Sequence, residues 1–341
     1  MRIRNFKQQL FFRLISIIIV IENNTIVLQN MSSPALEKNI LATLAYYDVM
    51  DYPMTSFEIH KYFTNFSQQS TVDSLQPDLL EIISALESEK LKKFIEEFRG
   101  FYFLKGRKNL VEQRLERSKI AESKFKILLK TARWLRFIPF VRMIAVTGRL
   151  AMKNTESQSD LDILVVLKNG KIFTGRTLLT LAVHLLGRRR YGKKIANRIC
   201  LNYFITEKSL EINLKDAFSA SEYSFIFPLF GFEVFQKFQQ ANVWIKKYKP
   251  NFRADDIPNL KLLPDTRSAK FFREIGEKIF GLDFIEQRLK RWQTQRIAND
   301  LRTHKAGSMI IANDEMLVFL PEPQSPEVFE KFKQRLEKMP G

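Results

Sequence analysis

"TGRLAMKNTESQSDLDILVVLK", residues 147–168, holds a glycine, a polar loop, two aspartates one residue apart and then a run of leucine and β-branched residues. Side chains alternate across a strand, so Asp160 and Asp162 project to one side while Leu161 and Ile163 enter a core. Like charges placed this way raise each other's pKa and weaken the strand unless a cation lies between them. A hard divalent ion such as Mg²⁺, held by one or two carboxylates together with substrate phosphates, fits that need. The plainer alternative is a strand end carrying two solvated aspartates.

Outward from this stretch the pattern supplies neighbours for the strand. "VRMIAVTG" reads as a buried strand ending at Gly148, where backbone N–H groups can approach a phosphate closely. Residues 171–186 read as an apolar helix and "RICLNYFI" as another strand. The 168–198 segment carries nine Lys or Arg and no acidic residue, with Arg188, Arg189, Arg190, Lys193 and Lys194 densest. Such a cluster suits a triphosphate or an RNA backbone, or simply solubility.

Toward the N-terminus, "MSSPALEKNIL" offers Ser33 as an N-cap and Pro34 at the first helical position. Thr55 and Glu58 form a capping-box pattern, and Leu79, Ile82, Ile83 and Leu86 mark a third helix. "LKKFIEEFRGFYFLKGR" alternates about Arg99-Gly100 as a β-hairpin. Three short helices and a hairpin over 34–106 resemble a winged helix-turn-helix domain. Its third helix is acidic (Asp78, Glu81, Glu87 and Glu89), which favours protein contact or substrate positioning over DNA reading. Residues 107–139 form a linking basic helix; 89–142 hold 16 Lys or Arg against 6 Glu.

After residue 210 the chain reads as mostly helical to residue 341, through 218–248 and 267–302, with a small hairpin at "SMIIANDEMLVFLP" and a last helix capped by Ser325-Pro326. The Phe-rich "YSFIFPLFGFEVF" reads as core, and 249–266 as a linker.

A chain of 341 residues with a formal charge of +18 implies an anionic partner. Cys200 is its only cysteine, which excludes an internal disulfide or a cysteine-rich metal cluster and fits a reducing cytoplasm. Residues 1–33 read as an extension. Its uncharged run, Leu14 to Ile21, is eight residues, against the roughly 20 that span a bilayer, so a membrane association is not expected. His60, His184 and His304 show no ligand spacing.

Strand, glycine turn, ten intervening residues, Ser159-Asp160-Leu161-Asp162 and a hydrophobic strand together resemble the nucleotidyltransferase superfamily of the DNA polymerase β type, over about residues 140–206. The resemblance implies an α+β fold: a polymerase β-like core of mixed sheet and helices over 140–210, preceded by the winged-helix-like domain and followed by the mostly helical region. It implies a two-ion Mg²⁺ site, a nucleoside triphosphate as substrate, a hydroxyl acceptor, and RNA or another polyanion as a further partner. Position by position, Asp160 and Asp162 match the metal ligands, Gly148 matches the phosphate-turn glycine and Ser159 precedes the dyad. Arg149 stands where a small residue is usual and offers a planar fork to a phosphate. Where the family carries a third carboxylate, Asn202 is the best match. It provides a neutral oxygen but no base, so Glu207 or Asp314 would have to substitute. Without one, the fold would serve as a nucleotide- or nucleic-acid-binding regulator.

Overall fold

The structure is a computed structural model and describes residues 33–66, 76–258 and 261–337. The expectations for the N-terminal extension lie outside the described residues, apart from Ser33. That residue caps α1 (Pro34–Asp48), its hydroxyl accepting from the Leu36 amide with Pro34 in the first turn.

A short strand β1 (Met54–Thr55) leads into α2 (Ser56–Lys61), which opens with the expected capping box between Thr55 and Glu58. Helix α3 (Leu79–Leu86) uses Asp78 and Glu81 for a second box, so part of its acidic character is spent on its own backbone. Strands β2 (Ile95–Phe98) and β3 (Phe101–Leu104) form the hairpin, and β1 joins it in the order β1-β3-β2. Arg99 and Gly100 at its tip both have positive φ, the twist a tight hairpin turn requires.

Helix α4 (Asn109–Leu135) then runs alongside the central sheet. That sheet has six strands: β4 (Val141–Val146), β5 (Leu161–Leu167), β6 (Ile199–Thr206), β7 (Phe227–Phe230), β8 (Met309–Ala312) and β9 (Met316–Leu320), in the order β7-β4-β5-β6-β9-β8. Only the β5–β6 pair is parallel, joined through α6 (Ile172–Leu185), which follows α5 (Gly148–Ala151) in the chain; the other pairs are antiparallel. The chain is therefore mixed α+β.

The sheet reaches well beyond residues 140–210. β7 lies inside the stretch expected to be helical, between α7 (Ala217–Ser224) and α8 (Phe232–Ala241), because pairing with β4 makes a strand of "FPLF". The β8–β9 hairpin, expected as an appendage, covers the free edge of β6.

Both sheet faces are buried. Leu161, Ile163, Val165 and Leu167 of β5 pack with Phe125 and Leu128 of α4 and Phe173 of α6. Leu164 and Val166 pack on the opposite face with Ala220 and Tyr223 of α7 and with Phe235 and Phe238 of α8. The N-terminal elements form a third cluster into which Phe225 and Phe332 of α11 (Ser325–Glu337) insert, with Tyr62 stacked on Phe225 at a centroid distance of 3.7 Å. Among the described residues no helix is long and apolar enough to cross a membrane.

Two late helices are fastened to the sheet by acids. Glu277 of α9 (Arg267–Phe280) accepts from Arg142 at 2.7 and 3.1 Å, from Lys168 at 3.0 Å and from the Phe140 amide at 3.2 Å. Burial opposes its ionisation, but these donors prevail and hold its pKa down to about 2. A depressed carboxylate contributes stability above its unfolded pKa and loses it as pH falls through the folded one. Glu277→Gln is therefore expected to cost about 2 kcal/mol at pH 7, with the gap from the parent closing between about pH 4.5 and 2. Urea midpoints at pH 7 and near pH 3 check this; a gap unchanged at low pH contradicts it. Glu286 of α10 (Asp283–Ala298) caps α6 from outside, accepting from the Phe173 and Thr174 amides and the Thr174 hydroxyl.

Candidate functional site

The dyad sits where loop meets sheet. Asp160 is the last loop residue and Asp162 the second of β5, on the face shared with Leu164 and Val166. The preceding loop is held from α4. Lys124, 2% exposed, donates to the Ser157 and Ser159 carbonyls at 3.1 and 2.6 Å and to Asn197 Oδ1 at 3.1 Å. Arg117, also buried, reaches Glu156 at 2.6 Å and Asn154 at 3.4 Å, and Asn154 donates onward to the Met50 carbonyl. Ser159 is thus placed through its backbone, which also accepts from the Asn197 amide. Lys124→Met removes three bonds to a buried charge and leaves the Ser159 carbonyl with the Asn197 amide as its remaining donor. It is expected to cost about 2–3 kcal/mol in urea denaturation, and a loss under 0.5 kcal/mol, roughly the range of an ordinary surface change, would contradict the clamp.

Gly148 opens α5 directly after β4 with φ of +63°, a conformation that suits glycine. A Cβ there would lie 3.2 Å from Asp162 Oδ2, so the glycine turn and the carboxylate share one small space. Arg149, half-exposed, leans toward Glu156 at 3.6 Å.

Opposite the dyad the parallel register pairs Asp162 with Cys200. Between that pair and Leu164–Tyr203, β6 contains one extra residue, so Asn202 lies in an irregular stretch and lines a cleft beside Cys200. Neither carboxylate expected to substitute for it comes near. The Glu207 amide bonds the Leu167 carbonyl, and the turn holding Asp314 adjoins Thr206, whose amide donates to the Glu315 carbonyl. Both mark the far end of the strands, about five residues and roughly 16 Å from Asp162. Their charges are engaged there, Glu207 with Arg142 and Asp314 with Lys290.

The structure sets Arg190, expected only as one of a basic cluster, and Cys200 beside the dyad. Arg190 donates to Asp160 at 2.5 Å and to Cys200 Sγ at 3.4 Å. It arrives because the loop after α6 pairs with the start of β6: the Arg188 carbonyl accepts from the Ile199 amide, and the Arg190 amide donates to the Ile199 carbonyl. Cys200 stands with one ligand-capable atom of each aspartate in a group whose members all lie within 4.8 Å of one another. Glu222 lies on α7, the helix whose Ala220 and Tyr223 cover Leu164 and Val166, and it feels the Asp162 charge. The RRR run signalled Arg190. Nothing local signalled Glu222, because its position depends on a helix about 60 residues further along the chain.

Electrostatics match the crowding. Burial first, then the Asp160 charge, pushes Asp162 up to about 7, with Arg190 and the Cys200 thiol pulling back. Burial, then Asp162 and Asp216, raises Glu222 to about 7 as well. Cys200 is pushed up to about 12 by burial and the two aspartates, so its thiol is protonated in the metal-free site, and as a soft sulfur donor it is a poor match for a hard ion. The usable donors are carboxylate oxygens, a hard set that fits Mg²⁺ with phosphate and water completing the shell. Against protein-family models, curated proteins and solved structures, the chain finds no match.

Proposed function

We propose that the chain is a Mg²⁺-dependent nucleotidyltransferase that moves a nucleoside monophosphate from a nucleoside triphosphate to an acceptor hydroxyl. The observation that carries this reading is the apposition of Gly148 and Asp162, a φ-positive turn so close that an added Cβ would stand 3.2 Å from the Asp162 carboxylate at the mouth of β5 beside Asp160. That arrangement supports assignment of the 140–210 segment to a polymerase β-like core. The order α1, β1, α2, α3, β2, β3 in the N-terminal elements supports the winged-helix reading.

In this reading Asp160 and Asp162 hold the metal, which when bound neutralises phosphate charge and favours ionisation of the acceptor hydroxyl. The Gly148 turn receives the triphosphate. The acceptor oxygen forms a bond to the α-phosphorus, the bridging bond to the β-phosphate breaks, and pyrophosphate departs. The hydroxyl proton passes to a base from outside β6, which carries no carboxylate, and we assign that role to Glu222 of α7, the helix packed over Leu164 and Val166 on the Asp162 face. Glu222→Gln is expected to lower kcat about 100-fold with KM for the triphosphate unchanged; an unchanged kcat removes Glu222 from the chemistry.

The reading is tested by incubating each labelled nucleoside triphosphate with Mg²⁺ and pools of RNA and cell protein, beside an Asp160→Ala/Asp162→Ala variant. Label transfer that the variant loses is expected. The Arg190–Asp160 ion pair and the lack of a carboxylate on β6 favour a second reading, a regulator that binds nucleotide without transferring it. Nucleotide binding with no transfer by either protein selects that reading.

A further inference from the structure

On the α6 side of the sheet, a cleft of about 750 Å³ opens between α6, the 189–192 loop, β6 and α10. Its walls are unusually cationic. Arg176 of α6, Arg189 of the loop and Arg296 of α10 line it together. By contrast with Arg190 and Arg302, which pair with Asp160 and Asp300, these three form no ion pair with any described residue. Burial, then the charges of Arg189 and Arg296, depress Arg176 to about 10. Its protein partner is the neutral Gln293 Oε1 at 2.5 Å, its guanidinium lies 4.6 Å from the centroid of the Phe319 ring, and its Nε is buried without a hydrogen bond. Asp300, the acid of the cleft, is taken up by Arg302, so the three other arginines gather at a cost in the free protein that a bound polyanion relieves.

Aromatic rings stand beside the guanidinium groups. Trp292 and Tyr191 line the cleft and are 53% and 57% exposed, and Arg296 lies over the Trp292 ring at 5.7 Å. Exposed aromatic faces interleaved with arginines match a ligand that alternates flat bases with phosphates. We infer that this cleft binds a single-stranded nucleic acid, with phosphates on Arg176, Arg189 and Arg296 and bases stacked on Trp292 and Tyr191. Arg190 and Cys200 belong both to the cleft wall and to the surroundings of Asp160, so a strand lying here ends beside the dyad. The dyad holds acids and a glycine turn, whereas the cleft holds unpaired arginines and rings.

Binding needs no transfer chemistry, so the test omits metal and nucleoside triphosphate, and its outcome is separable from that of the transfer assay. Fluorescence anisotropy of a labelled oligonucleotide of about 12 nucleotides is followed against the full chain over a salt series. Arg189→Ala/Arg296→Ala is expected to weaken binding about tenfold or more and to flatten the log–log salt slope by about 1.4, two phosphates' worth. Trp292→Ala is expected to weaken it about tenfold with the slope unchanged. A Lys246→Ala/Lys247→Ala variant, equal in charge change but in an exposed turn far along the chain, is expected to bind as the parent does. Absence of binding by the parent, or equal losses in the lysine and arginine variants, overturns the inference. So does displacement of the strand by ATP at equal molar affinity, which makes the cleft a mononucleotide pocket, or a duplex binding as tightly as the single strand.

Discussion

On the proposed reading, Asp160→Asn and Asp162→Asn are each expected to lower nucleotidyl transfer about a thousand-fold or more while leaving the protein folded. Removing one of two paired ligands withdraws several kcal/mol of charge stabilisation from the transition state, and each 1.36 kcal/mol is tenfold in rate. Stability should move the other way at Asp162. Its carboxylate is pushed up to about 7 by burial and by Asp160, so at pH 8 the folded state holds a charge it disfavours. An amide of the same shape removes that penalty, and Tm at pH 8 is expected to rise by about 2–4 °C. Calorimetry beside the transfer assay separates two cases. Lost activity with raised Tm marks a functional acid held at a structural cost, whereas lost activity with lowered Tm marks Asp162 as a fold residue and defeats this account.

Gly231→Ala carries the largest expected stability change. Gly231 links β7 to α8 with φ of +83°, and a Cβ there would stand 2.1 Å from the Arg142 carbonyl oxygen and 2.8 Å from Met143 Cα. Both are backbone atoms of β4, which is hydrogen-bonded on both sides and cannot move aside. Strain and overlap together are expected to cost about 3–5 kcal/mol, or to leave the chain unfolded. Gly187→Ala is the comparison. Its φ is also positive, at +65°, but a Cβ there meets nothing within 4 Å, so only about 1 kcal/mol is at stake. If the two variants unfold at the same denaturant concentration, conformational strain alone governs Gly231 and the close approach to β4 is immaterial.

How much of this was readable in the residues depends on how local each cause is. Ser33, the Thr55–Glu58 box and the apolar, β-branched run after Asp160 act through neighbours in the chain, and each produced the element expected of it. The strand in "FPLF" was hidden because its identity comes from pairing with β4, more than 80 residues earlier in sequence. Asn202 was singled out by counting along β6, but the extra residue in that strand breaks the count and leaves Cys200 opposite Asp162. Arg149 looked like a phosphate grip, whereas Glu156 attracts it in the free protein. Arg189 was visible as one of a basic cluster, but its meeting with Arg176 and Arg296 was not, because it lies in which charges face one another across the fold.

The β8–β9 hairpin bears on more than the sheet's width. Strand β6 carries "ICLNYFIT", uncharged and rich in strand formers, and β9 takes up its outer hydrogen bonds through Tyr203, Phe204 and Ile205. A chain cut before Met309 would leave that row of amides and carbonyls open, beside the dyad's own strand. An unprotected apolar strand edge recruits other copies of itself. Removing the β8–β9 hairpin is therefore expected to promote self-association through β6.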